Sequence, residues 1–475
     1  MRRCLVWTVL ALVGLAGLSA MIRAQGPASP PDLAKLAEEA QGWLTDLIRI
    51  NTTNPPGNEL AAAKYVSGLL QKEGISSEVI DLAPGRGIAV ARLQAGALPD
   101  PANALLLMAH LDVVGVDASK WSVDPFGAVV RDGYLYGRGA IDDKGMLAAN
   151  LAVMVGLKRS GSRLARDLIF LATDDEEQGG TASVKTVVDK YWDRVACAYA
   201  LNEGGRIMLK DGKVQYVGIQ ASEKVPYDVT VIAKGPSGHG SQPRPDNAVV
   251  HLAVAVAKLG AYQTAAQPNT ITRRYFEQLA KVEDEDTAKW MRALEQPERQ
   301  DLAAKHLAEQ SPMWNSMLRD SIAPTMIRAG FRTNVIPSEA TANLNVRLLP
   351  GHSIQDLIAQ FGKVVNDPQI RFELAPNSGE NAPPSELDTP IFKSIEKVTS
   401  QDFPGAVVLP FLSTGATDSA QLRLHKVQAY GLLPFPLVEG DDARMHADDE
   451  RIPLDSFRKG VAFLYHVVSD FTATK

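Results

Sequence analysis

Cysteine is almost absent from this chain. Of its 475 residues only Cys4 and Cys197 are cysteines. Cys4 falls in an N-terminal apolar run, which leaves the remainder with a single thiol and no internal disulfide. Stability must then come from a large core or from bound metal. A basic stripe is also missing: the formal net charge is -6, and without clustered Lys and Arg nucleic acid is excluded as a partner. There is no nucleotide-binding glycine fingerprint and no internal repeat. What is present is the composition of a globular protein, 45% hydrophobic and 22% charged, in a chain too long for one ordinary core.

The first residues read as an address. Arg2 and Arg3 precede an uncharged run from Cys4 to Ile22, and Ala24 offers a small residue at a cleavage point. Residues 1–24 are therefore expected to be a secretory signal peptide and the protein to be exported, periplasmic or secreted. An uncleaved membrane anchor is the alternative, because the run is almost long enough to span a bilayer.

From Asp32 to about Gly218 helical and strand patterns alternate. "LAKLAEEAQGWLTDLIRI" and "ELAAAKYVSGLLQKEG" carry helical spacing, while "ALLLMAH", "DLIFLAT" and "CAYALN" are short apolar runs suited to buried strands. The expected fold class is α/β, a mixed sheet with helices on both faces. Near residue 220 the pattern becomes half-exposed: "YDVTVIAKG" and "ATANLNVRLLPG" alternate apolar and polar residues. The expected organisation is a catalytic domain in two parts, 32–220 and 351–475, with a smaller α+β domain, 221–350, inserted between them.

Acidic residues and histidines recur where strands end. "LLLMAHLD" puts His110 and Asp112 there, "LIFLATDDEEQGG" puts Glu176 and Glu177 there, and "CAYALNEGG" puts Glu203 there. Ligands of open α/β sheets gather at the carboxyl ends of strands. "RGAIDDKG" adds Asp142 and Asp143 in a loop entering a helix, and "DDARMHADDERIP" adds His446. Each stretch alone has an ordinary reading, as an acidic surface loop or a helix start. Together, two imidazoles and several carboxylates form a ligand set for zinc or a similar divalent ion. An aspartate bridging two ions would explain the charged knot of "RGAIDDKG".

At these residues the chain resembles the co-catalytic zinc metallopeptidases and amidohydrolases that include bacterial carboxypeptidase G, aminoacylase, acetylornithine deacetylase and succinyl-diaminopimelate desuccinylase, with a lean towards the carboxypeptidase S-like branch. The matching stretches are "AHLDVV", "YGRGAIDDKG", "TDDEEQGG", "LNEGG", "GPSGHGSQPRPDNAV", "TNVIPSEATANLNVRLLPG" and "RMHADDER", in the family's order. The resemblance implies a zinc-exopeptidase-like catalytic domain with an inserted lid and dimerisation domain, binding two zinc ions, with cobalt or manganese as alternatives. His110, Asp142 and Glu203 would hold one ion, and Asp142, Glu177 and His446 the other, with a cis peptide after the bridging Asp142. Glu176 would be the general base, and Asp112 would orient the His110 imidazole. His239 would reach in from the smaller domain towards the oxyanion, commonly from the partner subunit of a homodimer. Arg347, Asn334 and Gly415 would bind substrate.

The reaction implied is hydrolysis of an amide bond in small peptides or N-acyl amino acids, as in a metallo-carboxypeptidase or aminoacylase. A dipeptidase of the same fold is the alternative, and would need a counter-charge for a free amine. A non-catalytic binding protein would have lost a ligand or the base, and every one is present.

Overall fold

The computed structural model describes residues 30–473 except 97, 180–182 and 377–378. The expected signal peptide lies outside the described residues. Among those described, no helix is long and apolar enough to cross a membrane.

The larger layer is built on a ten-stranded mixed sheet. At its centre Leu168–Thr173, Leu105–His110, Tyr199–Asn202 and Gln428–Gly431 run side by side and parallel. Leu105–His110 and Leu168–Thr173 are buried along their whole length, as parallel strands covered on both faces must be. Their side chains divide by parity. Leu105, Leu107 and Ala109 face the helices Leu33–Arg49, Lys144–Ser160 and Leu454–Thr472. Leu106 and Met108 face Val184 and Val187 of the helix Val184–Lys190 and Leu422 of Ser419–Leu424. Each fully buried Leu or Ile contributes about 1.5–3 kcal/mol.

The helix Lys144–Ser160 is buried on every side from Lys144 to Leu157. That explains its nearly uniform apolar sequence. It stops at Gly161, whose φ of 66° places it in the left-handed conformation that glycine adopts most readily.

The smaller layer is a four-stranded antiparallel sheet, in the order Ser321–Ala329, Glu339–Leu348, Val225–Lys234, Ile370–Leu374. One face packs on the helices Ala248–Ala261 and Ile354–Val365. Strict alternation of burial along Glu339–Leu348 reflects its single covered face.

The boundaries expected for an inserted domain at 221–350 need correction twice. The chain stays in the smaller layer through Ile370–Leu374, well past Gly351. Residues 270–318 instead belong to the larger one: Thr270–Leu279 lies against Val407–Ser413, with Tyr275 and Phe411 rings 5.9 Å apart. An amphipathic helix reveals that it has a buried face, not which sheet that face meets.

Candidate metal centre and active site

The parallel strands end on one edge, with His110 beside Thr173 in register and Asn202 beside Gly431. His110 is the last residue of its strand, and Glu203 directly follows Asn202. The loop carrying Asp142 runs across the same edge into the helix Lys144–Ser160, through a cis Asp142–Asp143 peptide.

Asp142 stands between two imidazoles. Its Oδ1 lies 2.9 Å from His110 Nε2 and its Oδ2 lies 3.1 Å from His446 Nε2. His110 Nε2 is also 3.8 Å from Glu203 Oε2, and His446 Nε2 is 3.1 Å from Glu177 Oε2. Ligand atoms of His110, Asp142 and Glu177 lie within 4.8 Å of one another, as do those of His110, Glu176 and Glu203. The expected ligands His110, Asp142, Glu177, Glu203 and His446 are thus brought together, with Glu176 beside them.

The charges of this cluster do not cancel. Glu177 Oε1 and Glu203 Oε1 are buried with no hydrogen-bond partner, an arrangement that costs free energy unless a cation is supplied. Burial pushes the Glu203 carboxyl well above its ordinary range, and the neighbouring Glu176 adds to the shift. Glu176 is raised in the same way, by burial first and then by Asp418 and Asp142. Asp142 shifts oppositely: burial disfavours its charge, but His110 and His446 outweigh burial and hold it well below the usual range. His446 is raised to about 10 by Asp142 and Glu177. The donor set of two nitrogens and several carboxylate oxygens fits zinc.

Asp112 meets both the His110 imidazole and the turn of the two glutamates. His110 Nδ1 faces the Asp112 carbonyl oxygen at 2.9 Å, while the carboxylate Oδ1 is 3.5 Å away. The carboxylate also accepts from Glu176 N at 3.2 Å, Glu177 N at 3.1 Å and Asn54 Nδ2 at 2.9 Å. It therefore fixes the turn Glu176–Gln178 that carries both glutamates. That turn is entered through Asp175 at φ 68°, a conformation unusual for a residue with a Cβ. Arg86 holds Asp175 at 2.6 Å and also donates to Asn54 Oδ1 at 3.2 Å.

Lys144 does not neutralise its neighbouring aspartates. Its buried Nζ donates to Leu47 O at 3.0 Å and Ile50 O at 2.8 Å, the carbonyls at the end of the helix Leu33–Arg49. These bonds satisfy carbonyls at the helix end and tie the Asp142 loop to the first helix, while burial lowers the Lys144 pKa to about 7. Asp143 turns inward, accepting from His110 N at 3.2 Å.

Gly415 lines a cavity of about 230 Å³ together with Asp142, Glu203, Arg206, Gln220 and Phe411. The other expected substrate residues lie in the smaller layer. His239 is exposed, on the ribbon pairing Gly238–His239 with Val335–Ile336, and Asn334 O accepts from Gly240 N at 2.8 Å. Arg347 is half-buried and donates to Asn345 Oδ1 at 3.0 Å. No described hydrogen bond or ion pair joins His239, Asn334 or Arg347 to the carboxylate cluster.

Sequence reasoning did not single out Asn54, Arg86, Arg138 or Glu450. Asn54 and Arg86 lie in stretches without a motif. Arg138 and Glu450 lie inside quoted motifs, but only their burial and contacts distinguish them.

An α/β sheet that collects imidazoles and unbalanced carboxylates at its carboxyl edge defines a metal-dependent hydrolase. The chain belongs to Peptidase family M20/M25/M40, whose model matches residues 106–470. It is 29% identical over 383 residues to "Probable carboxypeptidase S-like 2" of Dictyostelium discoideum, covering 78% of this chain and 72% of that protein. It is 30% identical over 380 residues to "N-fatty-acyl-amino acid synthase/hydrolase PM20D1" of Xenopus tropicalis, covering 77% and 72%. Among solved structures, an M20 family metallo-carboxypeptidase from Sulfolobus solfataricus superposes with a TM-score of 0.69 at 19% identity, covering 91% of this chain and 99% of that one.

Proposed function

We propose that this protein is a two-zinc hydrolase of small peptides or N-acyl amino acids. The observation that carries this reading is the division of Asp142 between His110 and His446, with Glu203 and Glu177 presenting unpartnered oxygens beside them. His110, Asp142 and Glu203 would hold one ion, and Asp142, Glu177 and His446 the other. When bound, the two ions supply Lewis acidity, polarising a carbonyl and acidifying water.

The chain's own groups supply the proton traffic. Glu176 takes a proton from the attacking water and returns it to the departing amide nitrogen. Burial and its neighbouring carboxylates raise its proton affinity, which suits a group that must both accept and release a proton. Asp112 keeps the carboxylate in place through Glu176 N. His239 donates to the oxyanion that develops on the substrate carbonyl. The Arg347 guanidinium pairs with the substrate carboxylate, while Asn334 and the Gly415 segment hold its terminal group. The products are a free carboxylate and an amine.

A homodimer through the smaller layer and export by residues 1–24 complete the proposal. The dimer is supported by the exposed edge strand Ser321–Ala329, with Met326 and Ile327 open to solvent, since an unpaired strand edge invites pairing with a second copy. The test is amine release from a panel of dipeptides and N-acyl amino acids, using chelator-treated protein before and after zinc is added. Activity returning with zinc supports the reading; a panel left intact by the zinc-loaded protein contradicts the substrate class.

A further inference from the structure

Two loops bring ligands to the Asp142 centre from opposite ends of the chain. One carries Asp142 and leaves the strand Tyr134–Tyr136; the other carries His446 and enters the strand Arg451–Pro453, and the two strands pair antiparallel. Where the loops meet, Arg138 and Glu450 form an ion pair at 2.7 Å with side chains 2% and 0% exposed.

Each member of the pair holds the opposite loop. The Glu450 carboxylate accepts from Gly139 N at 3.0 Å, Ile141 N at 2.8 Å and Asp142 N at 3.1 Å. Arg138 Nη2 donates to Ala447 O at 3.0 Å and His446 O at 3.3 Å. His446 itself sits at φ 62°, in the left-handed region that a residue with a Cβ adopts only when its surroundings impose it. The guanidinium that grips its carbonyl is part of those surroundings.

The other pair of ligands is placed by different means. His110 ends a fully buried parallel strand and Glu203 follows another, so the sheet itself fixes their backbones. His446 stands in a turn outside any strand, and its side chain is 55% exposed.

Resting on the two-zinc reading, we propose that Arg138 and Glu450 are positioning residues for the metal centre of Glu177 and His446, and that they set its affinity more strongly than that of the centre of His110 and Glu203, which shares only Asp142 with it. Neither residue touches substrate or metal; they act through the backbones of His446 and Asp142.

The test is zinc titration of metal-free protein against a competing chelator, comparing wild type with R138K and E450Q. R138K keeps the positive charge but loses the fork that reaches both His446 O and Ala447 O. E450Q keeps the shape but turns an amide N–H towards groups that are themselves donors. Orienting partners outside the ligand shell typically set metal affinity by about 10–100-fold. The expected result is two equivalents in wild type. In the variants the second equivalent should weaken by about that factor while the first changes much less; breaking a buried pair also lowers the metal-free unfolding temperature, so the split between the two equivalents is what decides. If both equivalents bind as in wild type, or both weaken alike, the pair merely supports the fold and the proposal is overturned. A wild-type protein that takes up no zinc would instead overturn the two-zinc reading beneath it. Should R138K not fold, E450Q is read by the same outcomes.

Discussion

The two halves of the proposed site are held in opposite ways. On the edge of the large sheet the side chains that support the proposed ligands form a web of fixed partners: Asp112 gathers three donors, Glu450 four, and Arg86 spans Asn54 and Asp175. On the smaller layer, among the described residues, the His239 side chain bonds only to Ser241, its near neighbour, and the Arg347 side chain only to Asn345. A constellation that must hold metal at sub-ångström tolerance needs rigid support. Groups that meet the substrate from a second domain can be exposed until it arrives. Loss of function on the two sides should therefore differ in kind.

The largest effect is expected on the buried side. Glu176→Gln should lower kcat by about 10²–10⁴-fold, the range for removing a general base, while zinc stoichiometry stays at the wild-type value. Turnover at the wild-type rate would end the assignment of Glu176. Next is His239→Ala, for which loss of an oxyanion donor predicts a fall of about 10²–10³-fold in kcat. Because His239 is exposed, its unfolding temperature should not move; a large drop in stability with unchanged kcat would put His239 on the structural side of the comparison. Arg347→Ala should act on KM instead. Losing a charged hydrogen bond of about 1.5–3 kcal/mol corresponds to a rise of roughly 10–100-fold for substrates with a free carboxylate. Equal KM values with and without that carboxylate would place recognition elsewhere.

Much of the buried side was legible in the sequence because the candidate ligands stand at strand ends, while their individual roles came from the resemblance to a known family. An apolar run followed by His-Leu-Asp, Asp-Asp-Glu-Glu or Asn-Glu announces a strand end and its cargo together. The partners that hold those ligands were not legible. Arg86 meets Asp175 across 89 residues and Arg138 meets Glu450 across 312, distances at which no periodicity speaks. The smaller layer was readable as alternating strands, yet its limits were not. The stretch Ile354–Leu374 has the helix-then-strand order of the large domain but lies in the small sheet.

The smallest expected effect tests whether burial, and not charge alone, makes the difference. Arg159 pairs with Glu73 and Glu39 at the surface, at 2.7 and 2.8 Å. Arg159→Ala should cost less than about 1 kcal/mol, as solvent-screened pairs do. The Arg159 contact holds the Glu73 carboxyl below its usual value. Its contribution is present above the unfolded-state carboxylate pKa and lost as pH falls through the lowered one. Denaturant midpoints of the two proteins should converge in acid; a gap that persists there would show that Arg159 acts through packing.

The most direct measurement is diffraction from zinc-soaked crystals on both sides of the zinc absorption edge. Two anomalous peaks flanking the Asp142 carboxylate, one beside His110 and Glu203 and the other beside Glu177 and His446, are the predicted result. A single peak, or peaks away from Asp142, would contradict the shared-aspartate centre on which the proposed chemistry depends.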